Sequence, residues 1–192
     1  MTMKNTTIIY GLSGSFCNFE HSLKALEELV RQGAEVIPAM SFNAASLDTR
    51  FGTAAEFRRR LVEITGHEII DTIQAAEPVG PKKLCDLLVV SPCTGNTLSK
   101  LACGITDTPI TMACKSHLRC GRPVVLALAS NDSLSASAQN LGRLLNTKNY
   151  YFVPLEQDDW LKKPSSLVAD FSQLPATVES ALRGRQVQPI FF

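Results

Sequence analysis

The chain has 192 residues and a mass of 20.9 kDa, and its 45% hydrophobic residues are ordinary for a packed globular domain. Its 19 basic and 18 acidic residues leave a formal net charge of +1, so neither nucleic acid nor an anionic membrane is expected as a partner. None of the six cysteines forms a C-x-x-C pair and none of the three histidines adjoins a cysteine, so no metal site is expected.

The first half of the chain alternates short β-branched runs with amphipathic stretches. The predicted elements are a strand at residues 7–10, a helix at 19–32, a strand at 34–40, a loop at 41–52 and a helix that begins after Thr53. The apolar run at residues 6–10 is too short for a signal peptide or a membrane-spanning helix, so the chain is expected in the cytoplasm. Residues 66–83 contain two prolines and two glycines, and they fit either a short strand with turns or an excursion toward a partner.

The second half continues this alternation with strands of the buried type. The predicted elements are a strand at residues 87–91, a helix at 96–103, a strand at 123–129, a helix at 135–146, a final strand at 151–154 and a C-terminal helix at 167–183. Strands and helices that alternate in this way are typical of a parallel sheet covered on both faces. The sequence therefore predicts one α/β domain over residues 1–192, a three-layer α/β/α sandwich with a Rossmann-like or flavodoxin-like sheet. The apolar tail after Gln186 is expected to dock on another surface.

The first predicted strand leads into a small, polar loop, which we call loop one. It contains Gly11, Ser13, Gly14 and Ser15. Backbone N–H groups and hydroxyls at a helix start favour an anion such as a phosphate. Loop one matches neither G-x-G-x-x-G nor G-x-x-x-x-G-K-[ST], so the common dinucleotide and nucleoside triphosphate fingerprints are missing from it. A tight turn whose small residues serve packing alone is the alternative interpretation.

A second loop of this kind, loop two, follows the strand at residues 87–91. It contains Pro92, Thr94, Gly95, Asn96 and Thr97 and leads into a helix. Ligands of open α/β sheets bind where the loops at the carboxyl ends of the strands gather. The hydroxyl and amide groups of loop two suit the edge of a flat heteroaromatic ring. The alternative is that Asn96 serves only as a helix N-cap.

In these two loops the chain resembles the flavoprotein family of phosphopantothenoylcysteine decarboxylases, lantibiotic-type cysteine decarboxylases and flavin prenyltransferases. That family has a G-x-[ST]-G-[ST] loop for the flavin phosphate and a P-A-S-A-N-T-type segment before a helix that ends in G-[IL]-x-D. Residues 92–97 and 104–107 are similar to the second pattern. The resemblance implies that the loops bind flavin mononucleotide (FMN), or a phosphate or other anion in its place. It also implies that Ser41 faces the phosphate and that Ser130 and Asn131 lie near the flavin ring.

A closer resemblance spans nearly the whole chain, and it is to the family of dipicolinate synthase B subunits. Residues 49–52, 65–68, 76–83, 151–154 and 184–189 are among the segments that carry it. This resemblance implies an oxidoreductase subunit that is active only with its partner, an NADP-dependent A subunit. Together they would convert dihydrodipicolinate, or its hydrated precursor, to dipicolinic acid in the mother cell of a sporulating bacterium. Because relatives of this fold form trimers or dodecamers, a homo-oligomer is also expected.

Two departures from the decarboxylases leave other functions open. The decarboxylases place a histidine about nineteen residues before the last threonine of the P-A-S-A-N-T segment, and counting back from Thr97 reaches Pro78, which cannot transfer a proton. Their P-x-M-N-x-x-M-W substrate clamp is replaced by residues 129–134. The remaining alternatives are an independent FMN-dependent cysteine decarboxylase, a flavin prenyltransferase, and a non-catalytic scaffold subunit.

The sequence does not fix the catalytic residues, and Arg50 and Asn96 are the candidates. Arg50 could pair with a carboxylate of a dicarboxylate substrate, although an arginine that is merely solvated is the alternative. Lys162 and Lys163 are expected to form a solvated face. The loops after the first four strands are expected to converge on one pocket.

Overall fold

A parallel sheet of five strands forms the centre of the chain, whose residues 3–192 are described by the computed structural model. The strands are β1 (Thr7–Leu12), β2 (Glu35–Met40), β3 (Leu87–Cys93), β4 (Val124–Ser130) and β5 (Tyr150–Phe152). They lie in the order β2-β1-β3-β4-β5, and each neighbouring pair is parallel. This is the flavodoxin-like order, in which the direction of winding reverses between β1 and β3.

Two short strands extend the sheet at the carboxyl end of β4. They are β6 (Leu155–Glu156) and β7 (Leu167–Ala169), and both of their pairings are antiparallel. Strand β7 pairs with Ala129 and Ser130, the last two residues of β4, and β6 pairs with β7. The loop between β6 and β7 is therefore held at the edge of the sheet where loops one and two also lie.

Helices cover both faces of the sheet. They are α1 (Phe19–Arg31), α2 (Phe42–Ser46), α3 (Ala54–Thr65), α4 (Ile73–Ala76), α5 (Gly95–Cys103), α6 (Pro109–Leu118), α7 (Ala138–Leu145) and α8 (Leu174–Leu182). Helix α1 packs against α3 and α8 on one side, whereas α5 packs against α6 and α7 on the other. The predicted three-layer α/β/α sandwich is confirmed. Within residues 3–192, no helix has the length and apolar character needed to cross a bilayer.

The core is centred on β1, β3 and β4. All seven residues of β3 are buried, because helices cover both of its faces. A network of buried hydroxyls crosses this core: the Tyr10 hydroxyl donates to the Ser22 carbonyl oxygen at 2.8 Å, and the Ser22 hydroxyl donates to the Ser91 carbonyl oxygen at 2.6 Å. These bonds tie α1 to β1 and β3 and so fix where α1 begins relative to loops one and two.

The structure corrects two predictions in the first half of the chain. Residues 41–52, predicted as a loop, contain α2, whose first turn is capped by the Ser41 hydroxyl as it accepts from the Ala44 N–H at 3.3 Å. Residues 66–83 were expected to form a short strand with turns or an excursion, and they contain an isolated parallel bridge of Ile70 to Ala39 of β2, followed by α4 and a 3-10 turn at Glu77–Val79 that were not predicted. Helix α3 begins after Thr53 as predicted.

The second half departs further from the prediction. Helix α6 was not predicted, although Thr108 and Pro109 carry the capping and N1 signals of its start. The strand near residues 151–154 is not the last one, and the helix predicted at 167–183 begins at Leu174 because β7 occupies its first residues. The tail docks as expected, since the Leu155 N–H donates to the Ile190 carbonyl oxygen at 2.8 Å.

Candidate functional site

A single buried hydroxyl joins loops one and two. The Ser13 hydroxyl donates to the Pro92 carbonyl oxygen at 2.8 Å and accepts from the Thr94 N–H at 3.0 Å. The Ser13 N–H also donates to the Pro92 carbonyl oxygen, at 3.2 Å, and Ser13 is 1% exposed. The two loops are therefore held as one unit at the carboxyl edge of the sheet.

We expect Ser13→Ala to lower the free energy of unfolding by about 1–3 kcal/mol, because the Thr94 N–H loses its acceptor. Urea denaturation followed by circular dichroism measures this change. The matched control is Ser46→Ala, which removes an exposed hydroxyl at the end of α2 and is expected to change stability by less than about 0.5 kcal/mol. Equal losses in both variants would contradict the role given to Ser13.

The loops after β1, β2 and β3 meet around a cavity of about 330 Å³, which we call the Ser41 cavity. Its lining is dominated by hydroxyl and amide side chains, joined by Phe42 and one ion pair. Five of the residues predicted to bind a cofactor line it: Gly14, Ser41, Thr94, Asn96 and Thr97. The Ser41 cavity lies at the β1/β3 switch point of the sheet, where ligands of this fold bind.

Asn96 lines the Ser41 cavity, and its side chain makes no hydrogen bond to the described residues. Helix α5 is capped by Thr94, whose hydroxyl accepts from the Thr97 N–H at 3.1 Å, so the interpretation of Asn96 as the N-cap is wrong. Asn96 is exposed in the first turn of α5, and its side-chain amide has no hydrogen-bond partner among residues 3–192. A helix does not use the N–H groups of its first turn, so the start of α5 offers donors beside this free amide.

The two charged side chains that line the Ser41 cavity, Lys100 and Asp107, neutralise each other. Lys100 Nζ donates to both carboxylate oxygens of Asp107, at 2.8 and 2.9 Å. No other charged side chain is among the described residues of its lining. A neutral lining rich in hydroxyl groups can accept an anion without repulsion from an unpaired carboxylate.

A second and larger cavity, of about 550 Å³, lies on the other side of loop one, and we call it the His21 cavity. The end of loop one, the end of β4 and the segment from β6 to the start of α8 form its walls. Three residues predicted to bind the cofactor line it: Ser15, Ser130 and Asn131. The loops after the first three strands share the Ser41 cavity, whereas the end of β4 lines the His21 cavity, and Gly14 and Ser15 lie at the boundary between the two.

Carboxylates give the His21 cavity an acidic character. A hydrogen bond from Lys163 Nζ, at 2.7 Å, lowers the pKa of Asp158. Burial alone would raise the pKa of Asp170, but hydrogen bonds from Ser172 and Gln173 outweigh it and the pKa is lowered. Both groups are therefore ionised near neutral pH, and with Glu156 they outnumber the cation of Lys163.

Four residues predicted to bind the cofactor line neither cavity, and close packing accounts for two of them, Gly11 and Gly95. An added Cβ at Gly11 would lie 2.7 Å from Ile110 Cδ1, and one at Gly95 would lie 2.5 Å from Ser130 Oγ. Ser13 joins the two loops as described above. The fourth, Pro92, is buried within β3.

Arg50, a candidate for catalysis, is not brought to either cavity. It is exposed, and its guanidinium carbon lies 4.8 Å from the centroid of the Phe51 ring. Asn96, the other candidate, lines the Ser41 cavity.

Sequence reasoning missed the polar groups of the His21 cavity. Lys163, expected on a solvated face, pairs with Asp158 at the wall of this cavity, and Asp170 lies beside them. One sequence feature could have placed His21 near the site: it lies on α1, only six residues after Ser15. No local pattern marks the others, because the pairing of β7 with β4 brings them to the site.

A comparison with protein families matches residues 1–173 to the family described as Flavoprotein. The chain belongs to the flavoprotein family. The resemblance predicted from loops one and two is therefore confirmed. This flavoprotein is 48% identical to the dipicolinate synthase B subunit of Bacillus subtilis (strain 168), over 98% of this chain and 94% of that protein.

Solved structures agree with this result. The crystal structure of the dipicolinate synthase B subunit from Bacillus halodurans matches with a TM-score of 0.92 and 42% identity, covering 100% of this flavoprotein and 98% of that chain. The predicted resemblance to dipicolinate synthase B subunits is confirmed. DmrB of Burkholderia xenovorans, a cubic protein cage solved in complex with FMN, matches with a TM-score of 0.70 at 18% identity, covering 94% of this chain and 97% of that one. This last likeness shows the shared fold.

Proposed function

We propose that this flavoprotein is the B subunit of a dipicolinate synthase. It acts with a separate NADP-dependent A subunit to convert dihydrodipicolinate, or its hydrated precursor, to dipicolinic acid, and it is active only in that complex. The observation that carries the proposal is the 48% identity to such a subunit along 98% of the chain. A match of this extent also covers segments outside loops one and two. Those segments distinguish the dipicolinate synthase B subunits from the decarboxylases.

The residues around the Ser41 cavity fit FMN. Gly14, Ser41 and the start of α5 would hold its phosphate, and Asn96 and Thr97 would meet the edge of its ring. The position agrees with sheets of this strand order, which hold FMN at the β1/β3 switch point. The neutral lining and the unpartnered Asn96 amide also favour this ligand. When bound, FMN would supply a ring that accepts and returns electrons.

The two subunits divide the reaction. This chain has no dinucleotide fingerprint in loops one and two, so hydride transfer to NADP is assigned to the A subunit. The B subunit dehydrates or orients the substrate, or supplies the flavin. We further propose that it forms a homo-oligomer, a trimer or dodecamer, and works in the cytoplasm of the mother cell during sporulation.

The structure offers little for an independent cysteine decarboxylase. Pro78, which stands where those enzymes have their histidine, lies in the 3-10 turn Glu77–Val79. That turn packs against α6, and Pro78 lines neither the Ser41 cavity nor the His21 cavity. A flavin prenyltransferase and a non-catalytic scaffold are the alternatives, and both predict that dipicolinate formation by the two-subunit enzyme does not depend on Asn96.

We expect Asn96→Ala to weaken FMN binding about 10-fold, because one hydrogen bond to the ligand is lost while the fold keeps all of its own. Quenching of FMN fluorescence during titration with the purified chain measures the affinity. The same variant, combined with the A subunit, is expected to lower the rate of dipicolinate formation.

The matched control is Asn146→Ala, an exposed asparagine that follows α7 and lies outside both cavities. It is expected to bind FMN as the wild type does. Absence of quenching by the wild-type chain would overturn the cofactor proposal. A complex that assembles with Asn96→Ala and keeps full turnover would contradict a catalytic role for the Ser41 cavity.

A further inference from the structure

Lys100 lines the Ser41 cavity, and its place on α5 directs its side chain toward the start of that helix. It follows Asn96 by four residues, so the two side chains lie on the same face of α5. Helical side chains lean toward the N-terminus of their helix, which carries the Lys100 ammonium group toward the first turn. The Lys100 side chain is 22% exposed, so most of its surface already lies against the protein. Lys100 is therefore placed to meet a ligand in the Ser41 cavity.

Asp107 holds Lys100 through a pair that a ligand can replace. The chain reverses at Gly104, whose φ of 71° ends α5, and Asp107 thereby returns to the cavity. The Asp107 side chain is 57% exposed, so water hydrates its carboxylate when it releases Lys100. Ion pairs between exposed groups contribute little to stability, because water screens them and both side chains lose freedom. Exchange of Asp107 for a more highly charged partner is therefore favourable.

Two helix starts add positive potential to the same cavity. Thr94 and Thr108, the N-cap residues of α5 and α6, both line it. The two hydroxyls accept from first-turn N–H groups at 3.1 Å in α5 and 3.2 Å in α6. The N-terminal ends of these helices, of nine and ten residues, carry partial positive charge, and neither first turn contains an acidic residue. Asp107, directly before Thr108, is the anion that now occupies this positive region.

We propose that Lys100 recognises the phosphate of FMN and that Asp107 competes with this phosphate for Lys100. The inference rests on the FMN site of the proposed function, and it names the residue that selects the phosphorylated form of the flavin. A phosphate monoester carries a charge of about −1.5 to −2 at neutral pH and three acceptor oxygens, whereas the Asp107 carboxylate carries a single charge. Lys100 therefore exchanges Asp107 for the phosphate when FMN binds. Riboflavin, which has the same ring and no phosphate, leaves the pair of Lys100 and Asp107 intact.

The test measures the dissociation constants of FMN and of riboflavin by quenching of flavin fluorescence. Lys100→Met removes the ammonium group and keeps an unbranched apolar side chain. We expect this variant to weaken FMN binding about 10-fold or more and to change riboflavin binding less than about 2-fold. The matched control is Lys148→Met, at an exposed lysine outside both cavities, which changes the net charge by the same amount. It is expected to bind both flavins as the wild type does.

Asp107→Asn supplies a second arm with an effect of opposite sign. Loss of the competing carboxylate frees Lys100, so FMN binding is expected to tighten about 3-fold while riboflavin binding stays as in wild type. Tighter binding does not arise from damage to the fold. This arm therefore tests the inference independently of any loss of stability in Lys100→Met.

The possible results distinguish the inference from the proposed function. A wild-type chain that quenches neither flavin would overturn the FMN site of the proposed function together with the inference. If the wild type binds FMN, and Lys100→Met either keeps that affinity or loses FMN and riboflavin equally, the role of Lys100 at the phosphate alone is wrong. Unchanged or weaker FMN binding in Asp107→Asn would overturn the competition by Asp107.

Discussion

Gly80→Ala is expected to destabilise the chain by roughly 4 kcal/mol or to prevent folding, an effect at the upper end for one substitution. An added Cβ would lie 1.8 Å from the Ser116 carbonyl oxygen and 2.6 Å from its carbonyl carbon. These are backbone atoms of α6, which cannot rotate aside as a side chain can. The Gly80 N–H also donates to the Ser116 hydroxyl at 2.9 Å, so separating the two segments breaks a buried hydrogen bond. Urea denaturation of the purified variant measures the loss.

The matched control for this substitution is Gly142→Ala. Gly142 lies within α7, and an added Cβ there would meet no atom within 4 Å. Alanine is favoured over glycine inside a helix, so the control is expected to raise the free energy of unfolding by about 0.5–1 kcal/mol. If Gly80→Ala unfolds at the same urea concentration as wild type, the close approach of Gly80 to α6 is wrong.

Lowering the pH from 7 to 4 is expected to reduce the free energy of unfolding by about 3 kcal/mol through His117 alone. Burial lowers the pKa of His117 from 6.5 to about 4, and Arg122 acts in the same direction. The unfolded chain binds a proton below about pH 6.5, whereas the folded chain does so only near pH 4. The stabilisation is therefore complete above pH 6.5 and is lost as the pH falls toward 4.

Urea denaturation at a series of pH values tests this expectation. Asp158 and Asp170, whose pKa values are also lowered, contribute losses of the same sign, so the informative quantity is the difference between wild type and His117→Gln. The variant is expected to be less stable at pH 7 and to lose less stability on acidification. His67→Gln is the control and should follow wild type. Parallel pH curves for wild type and His117→Gln would refute the assignment.

The buried strands were the most predictable part of the fold. Residues 87–91 and 123–129 are continuous apolar runs with polar residues on either side, and β3 and β4 lie within two residues of the predicted bounds. Strand β7 could not be predicted from the sequence in the same way. It has three residues, it is followed closely by α8, and its partner is the end of β4, far away in sequence. Short strands of this kind are defined by their partner rather than by their own pattern.

The candidate site was likewise predictable from the sequence only in part. Loops one and two follow strands that the sequence marks clearly, and their small hydroxyl-bearing residues indicated a ligand. The family resemblance added Ser41, which lines the cavity together with residues of both loops. The acidic residues of the His21 cavity lie in the segment from β6 to the start of α8. The pairing of β7 with β4 positions this segment at the site. Lys163, in the same segment, was predicted to be solvated because nothing near it in sequence reveals the strand that anchors this segment.

Gly14 and Ser15, adjacent in the chain, face different cavities, and the peptide between them is a partition shared by both. An occupant that shifts this partition on one side changes the shape of the compartment on the other. Thermodynamic linkage then requires that the two occupants alter each other's affinity by the same factor, whichever binds first. A ligand in one compartment that moves this peptide would therefore also change binding in the other.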